Sequence, residues 1–328
     1  MNDPALRRTW IETLGFIALG LFFYKVGFLF FAFLLPFQII FMRRGFRYFC
    51  YAGAIFLGIS ALFTLGSIKT LENRELYGVL FLLETGVPFL FLLGLGLING
   101  NFFQLKRNLY TIVISMGIIA LIAVPIILFV TSKESLGDFF REQFEMVFQL
   151  FSGSAGQSDS FEASVMERMF NTDHFLELLK DIILRNFMFA YMLVVTGNWW
   201  FGRSIVQRTK QQPAFNTVYF RLPEYFIWPL LLSWAFVLLD SFKSLGSLEY
   251  VFWNTGLIFL FLFGLQGLGI IKFLFARYNV PRGIRLLLSF VCIILCFIPG
   301  VNYVIFIGIP GIGASELWIK YRKIERSD

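Results

Sequence analysis

The chain has 328 residues, of which 58% are hydrophobic and only 15% charged, and its formal net charge is +7. A soluble domain is about one quarter charged, so the composition excludes an ordinary water-soluble globular protein and indicates a polytopic membrane protein. The Lys and Arg residues sit at the ends of apolar runs rather than along one polar face, which sets nucleic acid aside as a partner and makes the lipid bilayer the expected one.

Residues 11–24 and 27–42 form two short apolar runs separated by Lys25, each shorter than the ~20 residues that an untilted helix needs to cross a bilayer. Pro36 interrupts the second, so a tight helical hairpin with a broken or re-entrant member is expected, its cytoplasmic end held by Arg43, Arg44 and Arg47. Arg7 and Arg8 precede the first run, but no A-x-A-like cleavage site follows, so the run is expected to be retained rather than removed as a signal peptide. A third span is expected over 48–67 and, after a mixed connector, a fourth over 77–98. Lys106 and Arg107 then precede a fifth at 109–131.

Residues 132–182 are the one long polar interruption. Ten acidic residues face four basic ones there, a net of −6, so the rest of the chain carries +13. Within this stretch Phe140, Phe144, Val147, Phe148 and Phe151 fall on one face of a helix and Arg141, Glu142 and Glu145 on the other, the pattern of a segment lying on the membrane surface. A flexible turn is expected at Ser152–Ser160 and a second amphipathic piece at 161–182. Further spans are expected at 183–202, 224–241 and 250–276, followed by a short pair, 285–298 and 302–319, turning at Pro299 and Gly300.

The expected fold class is therefore all-α, a polytopic transmembrane helical bundle of about 8–10 spans with two short hairpins. Three regions follow: an N-terminal membrane half (1–131), an acidic external amphipathic loop (132–182), and a C-terminal membrane half (183–328) with a short basic cytoplasmic tail. With ten crossings every basic connector falls on one side and the neutral or acidic connectors on the other. That distribution places both termini in the cytoplasm and the loop 132–182 outside. The two halves would then run in opposite orientations, as in transporters built from inverted repeats, although no residue-level similarity links them.

Four polar residues within the apolar spans are candidates for a role. Glu84 lies near the middle of the fourth span, followed by Gly86 and Pro88; an ionised carboxylate there is costly unless it faces water or a partner. Its candidate charge partner is Lys272, toward the end of the 250–276 span. Asn198 stands beside Trp199 and Trp200, rings expected to act chiefly as interfacial anchors. Gln266 is flanked by Gly264, Gly267 and Gly269, which allow close helix contact and let the amide reach across an interface. Glu84, Asn198 and Gln266 are the candidate ligand-binding residues. The 44 Phe residues are expected to serve as bulk packing and lipid-facing material.

Catalytic and metal chemistry find little support. His174 is the only histidine, and Cys50, Cys292 and Cys296 lie in or beside apolar runs without a C-x-x-C pair. No G-x-S-x-G, H-E-x-x-H or Walker A motif is present. Neither enzymatic activity nor a bound metal or cofactor is expected.

Asn198, the Arg221-Leu222-Pro223 entry to a span, Gln266-Gly267, the ending GIPGIGASELWIKYRK, Pro36 and the Arg44-Gly45 turn together resemble the YybS-like family of multispan bacterial membrane proteins. Where that family has an aspartate near its final Gly and Arg, this chain has Ser315 and Glu316, so the resemblance carries that position onto Glu316. The family's helical arrangement is similar to the substrate-binding subunits of energy-coupling-factor vitamin transporters. The resemblance implies a bacterial inner-membrane protein that binds or moves a small-molecule ligand with a separate energising partner protein. Gly15, Ala18 and Gly20 of the first helix are the small residues such a partner would meet. The competing expectation is an assembly protein that organises other membrane proteins through its glycine-bearing helices.

Overall fold

The computed structural model describes residues 4–68, 74–100, 172–209 and 220–322, together with residue 218 and short pieces between 112 and 146. Every regular element among the described residues is a helix. Among the described residues four helical stretches are long and apolar enough to cross a membrane, Gly27–Arg44, Phe46–Gly66, Leu76–Gly100 and Leu248–Arg277, and the protein is an all-α helical membrane bundle. The span expected at 109–131 and the amphipathic piece at 138–151 are described only in part, and the Ser152–Ser160 turn lies outside the described residues. The chain divides into two compact units, residues 1–184 with 190–213 and residues 185–189 with 214–328.

In the first unit, α1 (Pro4–Lys25) begins with a proline at its first position and ends on a lysine, each suited to that helix end. A 3-10 segment (Gly27–Ala32) and α2 (Leu35–Arg44) follow, so the second apolar run is broken. The break falls before Pro36 rather than at it. Pro36 occupies the first turn of α2, where a missing N–H removes no helical bond. Gly45, at φ +87, then turns the chain directly into α3 (Phe46–Ile68), a conformation that a residue with a Cβ rarely adopts. Arg44 reaches back from this turn to pair with Glu12 of α1.

The fourth span consists of α4 (Arg74–Phe81), a π turn (Leu82–Gly86) and α5 (Val87–Gly100). Next among the described helices is α6 (Thr172–Thr209), of 38 residues. At 1.5 Å per residue it is about 57 Å long, nearly twice the ~30 Å hydrocarbon thickness of a bilayer. The helix runs unbroken through residue 182. The end of the acidic stretch is thus the first turns of α6, not a separate amphipathic piece before a span at 183.

The core of this unit is aromatic. Tyr24, Phe33 and Phe56 pack with centroids 5.5–5.9 Å apart, Phe30 stacks on Phe33 while Phe91 meets both edge-on, and Phe91 lies tilted against Tyr191 of α6 at 4.8 Å. Phe33, Phe37 and Phe56 are wholly buried. Tilted and edge-to-face rings gain quadrupole attraction on top of their area, which in lipid, where apolar burial by itself discriminates little, fixes the neighbours. Part of the Phe excess therefore builds this interior.

In the second unit, a 3-10 turn (Glu224–Phe226) leads into α7 (Ile227–Asp240), followed by α8 (Leu248–Arg277), α9 (Arg282–Cys296) and α10 (Val301–Ser315). Trp234 and Phe236 of α7 meet Trp253 and Phe252 of α8. The short pair α9–α10 turns at Gly300, whose φ is +87. Each of its helices has 15 residues, about 22 Å, too short to cross a ~30 Å core without tilt or thinning.

Where α8 and α10 cross, backbone meets backbone. A Cβ on Gly267 would lie 2.0 Å from the Ile309 carbonyl oxygen, and one on Gly313 would lie 2.0 Å from that of Phe263. The two positions are reciprocal, each glycine resting on the carbonyl four residues before the other. Gly264 faces only the Pro310 ring, at an ordinary 3.5 Å. Gly267→Ala or Gly313→Ala is therefore expected to cost about 1–3 kcal/mol, read as a lower unfolding temperature in detergent, while Gly264→Ala should unfold like the parent.

Candidate functional site

Pro88 generates the local geometry at Glu84. In a regular helix the N–H of residue 88 would bond the Glu84 carbonyl, but proline has no N–H, and the helix widens into the π turn at Leu82–Gly86 just before it. The carbonyl left without its usual donor accepts the Tyr24 hydroxyl from the end of α1, at 2.8 Å. The same stroke brings the next residue of α1, Lys25, to the carboxylate: its Nζ lies 2.8 Å from Glu84 Oε2. The Thr64 hydroxyl of α3 is 2.9 Å from Oε2 and also 2.9 Å from the Ser60 carbonyl, with one proton to give.

Both side-chain contacts reach the same carboxylate oxygen. Oε1 takes no hydrogen bond among the described residues. The Lys25 ammonium, with three donors, makes a single hydrogen bond among the described residues and stands 5.6 Å from the Tyr24 ring centroid. The two charged side chains are 43% and 45% exposed. At the bulge a shallow, mostly apolar groove is lined by Leu57, Gly58, Ala61, Thr85, Gly86 and Phe89.

Lys25, which the sequence reading did not name as a partner, pairs with Glu84 within the first unit. Lys272 lies on α8 in the second unit. Lys25 was read as a separator between two apolar runs, yet a lysine flanked by such runs raises the same demand for a counter-charge that singled out Glu84. Tyr24 and Thr64 carried no signal of their own, because both contacts depend on how three helices meet.

Asn198 spends its amide donors on backbone. Its Nδ2 lies 2.6 Å from the Phe31 carbonyl, at the break between the 3-10 segment and α2, and 2.7 Å from the Val194 carbonyl of its own helix. Trp199 beside it is buried, with the Arg203 guanidinium 5.5 Å from its ring, whereas Trp200 is exposed. Only Trp200 is placed as an outward anchor. A second amide pair, missed in the sequence, links α2 and α5: Gln38 and Asn99 exchange hydrogen bonds, and Gln38 is fully buried under the notch at Gly202.

Gln266 is equally engaged within the second unit. Its Oε1 accepts the Leu222 N–H at 2.7 Å, and its Nε2 donates to the Gly313 carbonyl and to Glu316 Oε2, both at 3.0 Å. Glu316, 2% exposed, takes both Nε and Nη2 of Arg322, while Arg322 Nη1 donates to the carbonyls of Val218 and Phe220. Gly267 and Gly313 bring the helices close enough for a glutamine to bridge them, and Arg322 then ties the chain's end to the segment leading into α7.

A bundle of apolar helices with its polar side chains turned to helix breaks and crossings defines a polytopic helical membrane protein. The model of the family described as "Predicted membrane protein (DUF2232)" matches residues 13–310, and the chain belongs to that family. No curated protein and no solved structure matches it.

Arg322→Gln leaves the buried Glu316 without its guanidinium and is expected to destabilise the protein by about 3–5 kcal/mol. Adding Glu316→Gln should restore part of that loss, because two amides need no charge compensation. Thermal unfolding of the four proteins in detergent measures both. An unchanged unfolding temperature for Arg322→Gln would remove this contact from the account of stability.

Proposed function

We propose that this integral membrane protein is a non-enzymatic solute-binding bundle whose ligand is held at Glu84. One observation carries the reading. Among the three candidate residues, Asn198 and Gln266 give their amide donors to protein acceptors, whereas Glu84 keeps a carboxylate oxygen without a hydrogen bond among the described residues, half-exposed within an apolar span. A carboxylate in such a place is costly unless something completes its shell. The YybS-like resemblance of the sequence, which implies a helical arrangement similar to the substrate-binding subunits of energy-coupling-factor transporters, points the same way, with energy drawn from a separate partner.

A second reading, an assembly protein for other membrane proteins, draws on a different feature. Gly58, Ala61 and Gly86 line the shallow groove, and Gly15 of α1 has open space before it, so small residues are presented where a partner helix could approach. Gly20, the other α1 glycine, is used internally: a Cβ there would meet the Phe37 ring at 2.8 Å.

The readings part in a thermal-stability screen of purified protein against vitamins, nucleosides and amino acids. A ligand that binds only the folded state raises the unfolding temperature. The solute reading expects at least one compound to do so for the parent and not for Glu84→Gln, which preserves shape but removes the charge. No shift with any compound, together with a stably co-purifying membrane partner, would establish the assembly reading instead.

The positive-inside distribution supports placement in the inner membrane with cytoplasmic termini and an external loop at 132–182. Single cysteines at Ser154 and Ser327, in a background lacking the native three, test it. An impermeant thiol reagent on intact cells should label the first and spare the second, and the reverse pattern would invert the orientation.

A further inference from the structure

We infer that the ligand class of the Glu84 site is a small zwitterion, with an ammonium and a carboxylate only a few bonds apart; this rests on the solute-binding reading above. Lys25 and Glu84 form a neutral pair, their charged atoms 2.8 Å apart. In an apolar span a ligand of net charge adds a charge that nothing there balances, whereas a zwitterion adds none. The unused bonding capacity has the matching polarity. Among the described residues, Glu84 offers an acceptor at Oε1, and Lys25 offers the ammonium donors left after its one bond to Oε2.

A zwitterion laid against the pair in the opposite sense sets its ammonium at Oε1 and its carboxylate at Nζ, so that charges alternate around a ring of four. Each new contact is a charge-assisted hydrogen bond, stronger than a neutral one. A monovalent amine or carboxylate makes one of these contacts and leaves the site charged.

The test uses the full chain, purified and reconstituted in nanodiscs, with equilibrium binding and thermal unfolding as readouts. The zwitterionic probes are glycine, alanine, leucine and phenylalanine. Three size-matched relatives of leucine lack one charge or both: 3-methylbutylamine, 4-methylpentanoate and 4-methylpentanamide. At least one zwitterion is expected to bind, and its single-charge and amide relatives to bind about tenfold or more weakly, the size of effect of losing one charge-assisted hydrogen bond. Lys25→Met should weaken the zwitterion and the carboxylate probe alike, and Glu84→Gln the zwitterion and the amine.

Binding of the amine, the carboxylate or the amide as tightly as the best zwitterion, abolished by Glu84→Gln, would overturn the zwitterion assignment and leave the solute site standing. The assignment is also overturned if none of the four zwitterions binds. Whether the solute reading falls with it is decided by the broader screen, in which any other Glu84-dependent compound would keep that reading alive. If Lys25→Met or Glu84→Gln fails to fold, Thr64→Val provides the check, since it removes a neutral neighbour of Oε2. The zwitterion should still bind it in preference to its single-charge relatives, and equal binding would overturn the assignment.

Discussion

Hydrocarbon cannot take up a stray N–H or C=O, so every interruption of a membrane helix must find its hydrogen bonds inside the protein. The described helices meet that demand with side chains. Tyr24 takes the Glu84 carbonyl that Pro88 cannot serve. Asn198 takes the Phe31 carbonyl where the 3-10 segment ends; within intact helices, Tyr191 takes the Leu90 carbonyl in α5 and Asn254 accepts the Met188 N–H of α6. Gln266 serves a backbone N–H with one end and a backbone carbonyl with the other. Among the described residues, Tyr24, Asn198 and Gln266 thus give their polar groups to the main chain at helix breaks and ends.

The spans were legible because hydrophobic length alone reports them. The expected stretches at 48–67 and 250–276 fall within a residue or two of Phe46–Ile68 and Leu248–Arg277, and Gly45 and Gly300 turn the chain where charge and proline patterns put the turns. Gln266 was also legible in part, since an amide among glycines has both the room and the need to cross an interface. The ion pair was not. Lys25 and Glu84 are 59 residues apart, and nothing in the spacing shows which intramembrane charges meet. The length of α6 escaped for a different reason: a polar stretch can be helical without an apolar face when it continues a helix nucleated by packing further along.

The α8–α10 crossing shows why small residues and polar networks recur together in membranes. At Gly267 and Gly313 the helices are too close for any side chain between them, so dispersion and weak Cα–H contacts supply the adhesion. The neighbouring positions must then fit a narrow gap, and a glutamine fits it only if its amide is fully bonded. Glu316 completes that bonding, and Arg322 in turn pairs with Glu316, so that the buried acid has a partner. Close approach creates the low-dielectric space, and the network is what makes that space tolerable.

Glu84 differs from this pattern in a way that separates the main chain from the side chain at a single residue. Its backbone carbonyl belongs to the dry framework, held by Tyr24 because of Pro88, and that bond is indifferent to the side chain at position 84. Its carboxylate belongs to no framework in the same sense, since one oxygen is shared by Lys25 and Thr64 and the other takes no hydrogen bond among the described residues. The π turn is what divides the two roles. By relaxing the helix at the proline it secures the main chain through the tyrosine, and it sets the side chain against α1 and α3 without requiring it to close a helical gap. A residue needed only for stability would have its bonds filled, as Gln266 does. Glu84 is positioned by the fold yet left with capacity to bond, and that combination distinguishes it from the stitching residues around it.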